Sequence, residues 1–340
     1  MDANLFDFNL PEELIAQRRA IPFDSSKLLI IDRKDNYSLK HYIFRDIIDF
    51  LDENTVLVFN NTMVFRARLF VQKRTGAKVE ILFLENPNDL NRNKFKALIR
   101  GKIHLGESIK IDEVCNIEVK EKNDYVYTIE IIGDRAGIYN KLQYPTPPYI
   151  HGDITDEYNT VYASAKSTNS VAAPTAGFHF TDELLERLRK KKVIFENITL
   201  NIGLGTFLPV KTTNIFDHDM HYEEYFIDKD VLIRLNKYKE EGKKIIAVGT
   251  TTTRTLEDSS FGSKGKLKKE YNNTNIFIFP GFKFNFVDGL ITNFHLPKST
   301  LIMLVSAFIG DTNKTLEIYR TAIEEKYRFY SFGDAMFILP

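Results

Sequence analysis

The chain has 340 residues, which at about 150 residues per domain favours two or three domains. Hydrophobic residues make up 43% of it and charged residues 27%, a balance that excludes wholesale disorder and fibrous repeats. The 46 basic residues equal the 46 acidic ones, so a nucleic-acid partner would have to bind a local basic patch.

The single cysteine, Cys115, excludes an internal disulfide and a cysteine-based metal site. The N-terminus has no basic segment followed by an apolar one, so we expect no signal peptide. The longest apolar run, residues 301–309, has about half the length of a membrane-spanning helix. These features together predict a cytoplasmic protein.

The first half of the chain begins with both strands and a helix and continues with a series of short strands. We predict a strand at residues 27–32, a helix near 44–51 and a strand at 55–59. From about residue 63 to 132, short β-like runs alternate with turn signals, which predicts a small barrel or sandwich. The proline-rich residues 144–150 (YPTPPYI) predict an extended exit linker.

Strands and helices alternate in the second half, where Thr181 is expected to cap a helix over residues 181–192. The other predicted elements are strands at 193–202, 243–249 and 275–280 and helices at 230–240, from 253, at 301–309 and at 315–325. We therefore predict an α/β fold class: a layered domain built from residues 1–63 plus 151–340, with an all-β barrel domain inserted at 64–150.

Several loops contain polar and small residues that packing alone does not require. Residues 170–181 (SVAAPTAGFHFT) precede a helix N-terminus, where free N–H groups favour an anion. Residues 199–210 (TLNIGLGTFLPV) allow close backbone approach to a ligand, although the third glycine of a dinucleotide loop is missing. Residues 218–224 (HDMHYEE) combine two histidines and two glutamates, which suits acid–base chemistry or a metal.

Three further loops follow. Residues 247–257 (AVGTTTTRTLE) place four threonines and an arginine after a buried strand, a usual ligand position in α/β sheets. Residues 292–300 (TNFHLPKST) crowd polar groups before an apolar helix, and residues 327–336 (YRFYSFGDAM) interleave aromatic and charged side chains. Each loop alone also fits a structural role, but all four histidines of the C-terminal half lie within these loops, which favours an active site.

Two other function classes stay open on the residues alone. A metal hydrolase could use His218, His221 and Glu223, although no cysteine or aspartate cluster supports them. A non-catalytic RNA-binding protein could use the predicted β domain, although the dense polar loops of the α/β half argue against a pure binder.

A series of segments in fixed order resembles one family along essentially the whole chain. They include residues 6–17 (FDFNLPEELIAQ), 58–69 (VFNNTMVFRARL) and 292–308 (TNFHLPKSTLIMLVSAF), besides the loops above. The chain resembles the bacterial S-adenosylmethionine:tRNA ribosyltransferase-isomerases of queuosine biosynthesis. This family implies an α/β domain with an inserted β-barrel, in agreement with the pattern of elements.

The resemblance also implies the reaction. The ribosyl part of S-adenosylmethionine is transferred and isomerised onto 7-aminomethyl-7-deazaguanine at the wobble position of tRNA, giving epoxyqueuosine-tRNA, adenine and methionine. We therefore expect S-adenosylmethionine as a consumed co-substrate and tRNA as partner, with no cofactor, metal or membrane, and a monomeric enzyme.

The reaction needs a base for the ribose C5′ proton and an acid for the leaving adenine, and the sequence leaves their assignment open. The expected catalytic residues are His179, His221, Glu223, His295 and Asp334. The expected substrate-binding residues are Pro174, Thr175, Gly177, Gly203, Gly205, Thr250, Thr251, Arg254, Asn293, Lys298, Arg328, Phe329 and Phe332, with Phe180 as a further candidate for stacking adenine.

Phe23 and Lys27 stand where this family is expected to have arginines, and Asn201 stands where it is expected to have histidine. Because the other motifs are intact, we infer that a histidine at position 201 is replaceable. The tRNA is expected to be held through its phosphates, with one anticodon base splayed out of its stack. The candidate basic clusters are residues 73–78, 92–102, 189–192 and 264–269.

Overall fold

The computed structural model describes residues 1–145, 149–150, 158–203 and 212–340. The chain divides into two compact units. The larger unit comprises Met1–Thr62, Asn159–Ser164 and Pro174–Pro340, and the smaller comprises Met63–Tyr158 and Ala165–Ala173. Parts of the expected exit linker and of the glycine loop at 199–210, Gly205 included, lie outside the described residues.

The described residues form fifteen strands. In chain order these are β1 (Lys27–Asp32), β2 (Ser38–Ile43), β3 (Thr55–Asn60), β4 (Arg68–Gln72), β5 (Lys78–Phe83), β6 (Lys94–Arg100), β7 (Ser108–Lys110), β8 (Cys115–Asn123), β9 (Val126–Gly133), β10 (Ile194–Leu200), β11 (Glu223–Phe226), β12 (Lys244–Val248), β13 (Tyr271–Thr274), β14 (Gly289–Asn293) and β15 (Ala335–Ile338).

Nine strands build one sheet in the larger unit, in the order β13-β11-β10-β3-β12-β14-β15-β1-β2. The neighbours β10, β3, β12 and β14 run parallel. Strand β3 (TVLVFN) is buried at every position, as expected for the centre of a parallel sheet covered on both faces. The predicted α/β layering is confirmed, and the parallel centre aligns the strand ends that carry the polar loops.

The smaller unit contains a six-stranded antiparallel sheet in the order β4-β5-β6-β9-β8-β7. Its strands alternate between buried and more exposed residues, as in β5, where Val79, Ile81 and Phe83 are buried. This alternation builds one apolar interior from short strands. The sheet is barrel-like, so the predicted small β module is confirmed.

The described residues also form α1 (Ala136–Tyr139), α2 (Asp182–Lys190), α3 (Lys229–Glu240), α4 (Thr250–Ser260), α5 (Thr300–Ile309) and α6 (Thr312–Glu324). Short 3-10 helices cover Ala3–Phe6, Glu12–Leu14, Phe23–Ser25, Phe44–Phe50, Thr175–His179 and Ile215–Asp217. The predicted cap of α2 is confirmed, because Thr181 Oγ1 accepts a hydrogen bond from Leu184 N at 3.1 Å. Within the described ranges, no helix has the length and apolarity needed to cross a membrane.

Two predicted elements differ from the structure. The helix expected near 44–51 is a 3-10 helix, whose three residues per turn place Phe44, Ile47 and Phe50 on one face against the core. The strand expected at 275–280 is wrong. That segment follows β13 without joining the sheet, and the carbonyl of Ile276 accepts a hydrogen bond from Arg254 Nε at 3.3 Å instead.

Candidate active site

Several of the predicted polar loops begin at one edge of the large sheet. Strand β3 ends at Asn60, β10 at Leu200, β12 at Val248 and β14 at Asn293. Because these four strands are parallel neighbours, the residues that follow them meet at their carboxyl ends. This edge is the usual place for ligands in open α/β sheets.

Asn60 ties two of these loops together. Its side chain is fully buried and donates from Nδ2 to the Leu200 carbonyl at 3.1 Å and to Thr251 Oγ1 at 3.3 Å. Its Oδ1 accepts a hydrogen bond from Leu200 N at 3.0 Å. The end of β10 and the start of α4 are therefore held in fixed relation. Asn60 had no functional signal in the sequence beyond its place in a motif.

An open cleft lies at this edge. Its lining combines an ionic end, an apolar wall and a histidine side. The lining residues are His218, Met220, His221, Glu223, Thr250, Thr251, Arg254, Ile276, Phe277, Ile278, Thr300, Leu301 and Leu304. Of the predicted site residues, His221, Glu223, Thr250, Thr251 and Arg254 are thus brought together.

The ionic end of the cleft is a buried pair. Glu223, at the start of β11, is 5% exposed, and Arg254 of α4 is 6% exposed. Arg254 Nη1 donates to Glu223 Oε2, while Gly203 N donates to Glu223 Oε1 at 3.1 Å. A buried charge is tolerated when it is paired and hydrogen-bonded, so the pair fixes both side chains against the cleft.

A row of rings leads from the cleft to the surface. The ring centroids of His218 and Phe277 lie 5.5 Å apart, those of Phe277 and Phe279 5.2 Å apart, and those of Phe279 and Phe216 5.4 Å apart. Phe216, at the outer end, is 61% exposed. We call these four residues the aromatic row. Partial burial and the nearby His221 lower the pKa of His218.

His179 belongs to a separate buried network. Its Nδ1 lies 2.8 Å from Ser26 Oγ and its Nε2 lies 3.1 Å from Asn293 Nδ2, while Thr175 Oγ1 donates to Asn293 Oδ1 at 3.4 Å. Because the amide nitrogen of Asn293 donates, Nε2 accepts and Nδ1 carries the proton. His179 also stacks on Phe44 at 4.9 Å.

This environment keeps His179 neutral. Burial, followed by the charges of Arg19 and Arg328, lowers its pKa to about 3. Burial alone lowers the pKa of His295 to about 3, and its Nε2 lies 3.1 Å from Thr292 Oγ1. Neither histidine lines the cleft, and both contact side chains at the end of β14.

Asp334 anchors the strand ends beside this network. Its Oδ1 accepts hydrogen bonds from Lys27 N at 3.1 Å and Arg328 Nη2 at 3.0 Å, and its Oδ2 accepts one from Arg328 N at 2.8 Å. The carboxylate is 2% exposed and lies outside the cleft lining. It joins the starts of β1 and β15.

Other predicted binding residues also lie away from the cleft lining. Phe329 is fully buried against Phe294, and Phe180 is fully buried against Phe59, so neither ring offers a free face. Phe332 stacks on Phe178 at 5.9 Å. Lys298 Nζ pairs with Asp7 at 2.7 Å.

Pro174 and Gly177 shape the 3-10 helix that carries His179. Pro174 is the residue before its first turn. A Cβ atom at Gly177 would lie 1.7 Å from Tyr162 Oη, so only glycine fits there. These two residues therefore position Thr175 and His179 rather than line the cleft.

Sequence reasoning missed most of the apolar wall. Ile276 and Ile278 come from the segment mistaken for a strand, while Leu301 and Leu304 project from the first turns of α5. Their i, i+3 spacing was the available signal, because residues three apart share a helix face.

The described residues contain no group of three or more His, Cys, Asp or Glu side chains arranged to hold a metal ion. Glu223, one of the three groups of the metal alternative, is bonded to Arg254. The cleft therefore presents an ion pair and hydrogen-bonding groups as its polar chemistry.

The residues that depart from the family pattern have defined partners. Asn201 Nδ2 donates to Glu224 Oε2 at 3.1 Å, away from the cleft lining. The guanidinium of Arg19 lies 3.4 Å from the ring centroid of Phe23. Lys27 Nζ donates to the Glu325 carbonyl at 2.7 Å. Each departure is accommodated outside the cleft.

Comparison with known proteins agrees with the fold and the motifs. A family model described as queuosine biosynthesis protein matches residues 3–338. An S-adenosylmethionine:tRNA ribosyltransferase-isomerase of Fusobacterium nucleatum is 47% identical, over 98% of this chain and 95% of that protein. One from Thermotoga petrophila is 44% identical over 100% of both chains.

A solved structure is similar as well. The crystal structure of S-adenosylmethionine tRNA ribosyltransferase from Thermotoga maritima superposes with a TM-score of 0.57 at 35% identity. The alignment covers 98% of this chain and 100% of that one. Family match, relatives and fold agree over the full length, and the chain belongs to the queuosine biosynthesis protein family.

Proposed function

We propose that this chain is an S-adenosylmethionine:tRNA ribosyltransferase-isomerase. It transfers and isomerises the ribosyl moiety of S-adenosylmethionine onto 7-aminomethyl-7-deazaguanine at the wobble position of tRNA. The products are epoxyqueuosine-tRNA, adenine and methionine. S-adenosylmethionine is a consumed co-substrate, and the enzyme uses no further cofactor. The names of full-length relatives at 44–47% identity support this activity.

The observation that carries the proposal is the cleft at the carboxyl ends of the parallel strands. It offers the buried pair of Glu223 and Arg254 at one end, an apolar wall, and the aromatic row at its side. These three environments suit the charged, aliphatic and adenosyl parts of one S-adenosylmethionine molecule.

The chemistry requires proton transfer in a confined space. The sulfonium acidifies the ribose C5′ proton, which a base removes, and adenine leaves when an acid or hydrogen-bond donor meets its ring nitrogen. Glu223, His218 and His221 line the cleft, and we place the two histidines in these roles, because Glu223 is held by Arg254. We assign His179, His295 and Asp334 to positioning, because they are buried in hydrogen bonds outside the lining.

The exposed outer end of the aromatic row, at Phe216, is our candidate contact for unpaired tRNA bases. Exposed rings stack bases of any identity, and a splayed anticodon base enters a pocket only after it leaves its stack. Asp217 and Asp219, which flank His218, are exposed and repel phosphates, so the row suits bases rather than backbone.

The phosphate contacts remain assigned to the basic clusters. Several of their charges are already paired: Lys73 with Glu107, Arg92 with Glu85, Arg189 with Glu186 and Lys266 with Glu240. The wobble-base specificity, the monomeric state and the cytoplasmic location stay predictions.

The test combines purified protein with S-adenosylmethionine and tRNA carrying 7-aminomethyl-7-deazaguanine. We expect release of adenine and methionine and a wobble nucleoside with the mass of epoxyqueuosine. Folded protein that binds this tRNA without forming product would overturn the proposal in favour of a binding protein. Unmodified guanine tRNA is the matched control, because it lacks the attacking amine.

A further inference from the structure

One nitrogen of Arg254 has no hydrogen-bond partner among the described residues. Arg254 Nε donates to the Ile276 carbonyl and Nη1 pairs with Glu223, but Nη2 is buried and unpartnered. A buried donor without an acceptor costs stability, and the cost is larger for a charged group. Arg254 as a whole is only 6% exposed, and it lines the cleft.

The first turn of α4 faces the same cleft. This eleven-residue helix begins after Gly249, which has φ +93° and provides no side-chain cap, so the first N–H groups of the helix lack a capping acceptor. Thr250 and Thr251 line the cleft in this turn. Arg254 follows Thr250 by four residues and therefore lies one turn along on the same face. Helix N-termini attract anions.

Charge balance narrows the class of anion. The pair of Arg254 and Glu223 is neutral as a unit, so a simple anion would leave a net negative charge in a buried place. A zwitterion that carries a carboxylate and an ammonium group keeps the site neutral. An α-amino acid end satisfies both conditions, and a phosphate does not.

We propose that Arg254 Nη2 and the first turn of α4 bind the α-carboxylate of the methionyl end of S-adenosylmethionine, while Glu223 faces its ammonium group. This assignment rests on the proposed function and adds to it the orientation of the co-substrate. The aliphatic chain then lies along Ile276, Ile278 and Leu301, which leads the sulfonium and ribose toward the histidines.

The decisive experiment varies the ligand and leaves the protein unchanged. Calorimetry on the full chain compares S-adenosylmethionine with its decarboxylated analogue and with the analogue that lacks the ammonium group. We expect each analogue to bind roughly 30-fold or more weakly, because each leaves a buried charge without its partner. This comparison needs no variant and cannot be confused with misfolding.

A variant then assigns the effect to the arginine. In Arg254→Gln, the preference for S-adenosylmethionine over the decarboxylated analogue is expected to fall to a few-fold. Arg234→Gln is the matched control, because Arg234 also pairs with a buried glutamate, Glu196, at 2.6 and 2.8 Å but lies outside the cleft. The control keeps the wild-type preference.

The outcomes separate the two proposals. Equal binding of all three ligands by a wild-type enzyme that turns over S-adenosylmethionine overturns the carboxylate site and leaves the activity standing. A folded protein that neither binds nor consumes S-adenosylmethionine overturns both. An unchanged preference in Arg254→Gln moves the carboxylate to other residues and refutes the assignment.

Discussion

Acid destabilises this fold through His179, and the size of the effect follows from its burial. The folded-state pKa is about 3, against 6.5 for the free side chain. Between these values the unfolded state binds a proton that the native state does not, so stability falls as pH falls. From pH 8 to pH 5, the free energy of unfolding decreases by about 2 kcal/mol for this histidine.

The perturbation is His179→Gln, which removes the titrating group. Urea unfolding at pH 8 and at pH 5 gives the loss for each protein, and we compare these losses rather than absolute stabilities. We expect the variant to lose about 2 kcal/mol less than wild type over this interval. His104→Gln is the control, because His104 is exposed and its removal leaves the loss unchanged.

Equal losses in His179→Gln and wild type would refute the reasoning. That result would mean that the folded protein protonates His179 near its ordinary pKa. The network with Ser26 and Asn293 would then have to rearrange, since a doubly protonated ring cannot accept from Asn293 Nδ2.

Further variants test the site and its supports. We expect Glu223→Gln to raise the KM for S-adenosylmethionine by about 10-fold or more, measured by adenine release, because it removes the charged partner of the ammonium group; far-UV circular dichroism is the folding control. Phe216→Ala should raise the KM for tRNA by about 5-fold or more, because it removes a stacking ring, and should leave the KM for S-adenosylmethionine unchanged. The same KM for tRNA in the variant and the wild type would exclude the row as an RNA contact. Asn201→His should change kcat/KM by no more than about twofold, since position 201 lies outside the cleft lining. Gly177→Ala should lower the free energy of unfolding by about 1–3 kcal/mol, because its Cβ would overlap Tyr162, and an unchanged urea midpoint would contradict this packing.

Local signals were sufficient for most of the architecture. Thr181 before an acidic first turn marks the start of α2, and the uniformly apolar β3 marks a central parallel strand. The unbroken apolar run of residues 276–279 was misleading, because a cleft wall and a buried strand can present the same run. Only pairing distinguishes them, and pairing depends on chain segments that are distant in sequence.

The loops that form the site were predictable from the sequence, but the roles of their individual residues were not. All six polar loops belong to motifs, and the parallel strands explain why several of them meet at one edge. Burial decides the rest: His179 and His221 have the same side chain, yet one is 3% exposed inside a network and the other is exposed at the cleft. Periodicity in a single loop carries no information on that difference.

The difference in burial between these histidines constrains the mechanism. A histidine with a pKa of about 3 is a weak base at neutral pH, so His179 and His295 are poor acceptors for the ribose proton. Their hydrogen bonds instead fix the loop after β14, beside the cleft that holds Glu223. We therefore place proton transfer on His218 and His221 of the cleft lining, while Arg254 holds Glu223 and retains one donor for the co-substrate. Substrate anchoring then belongs to the ion pair of Glu223 and Arg254, and proton transfer belongs to the two histidines of the cleft lining.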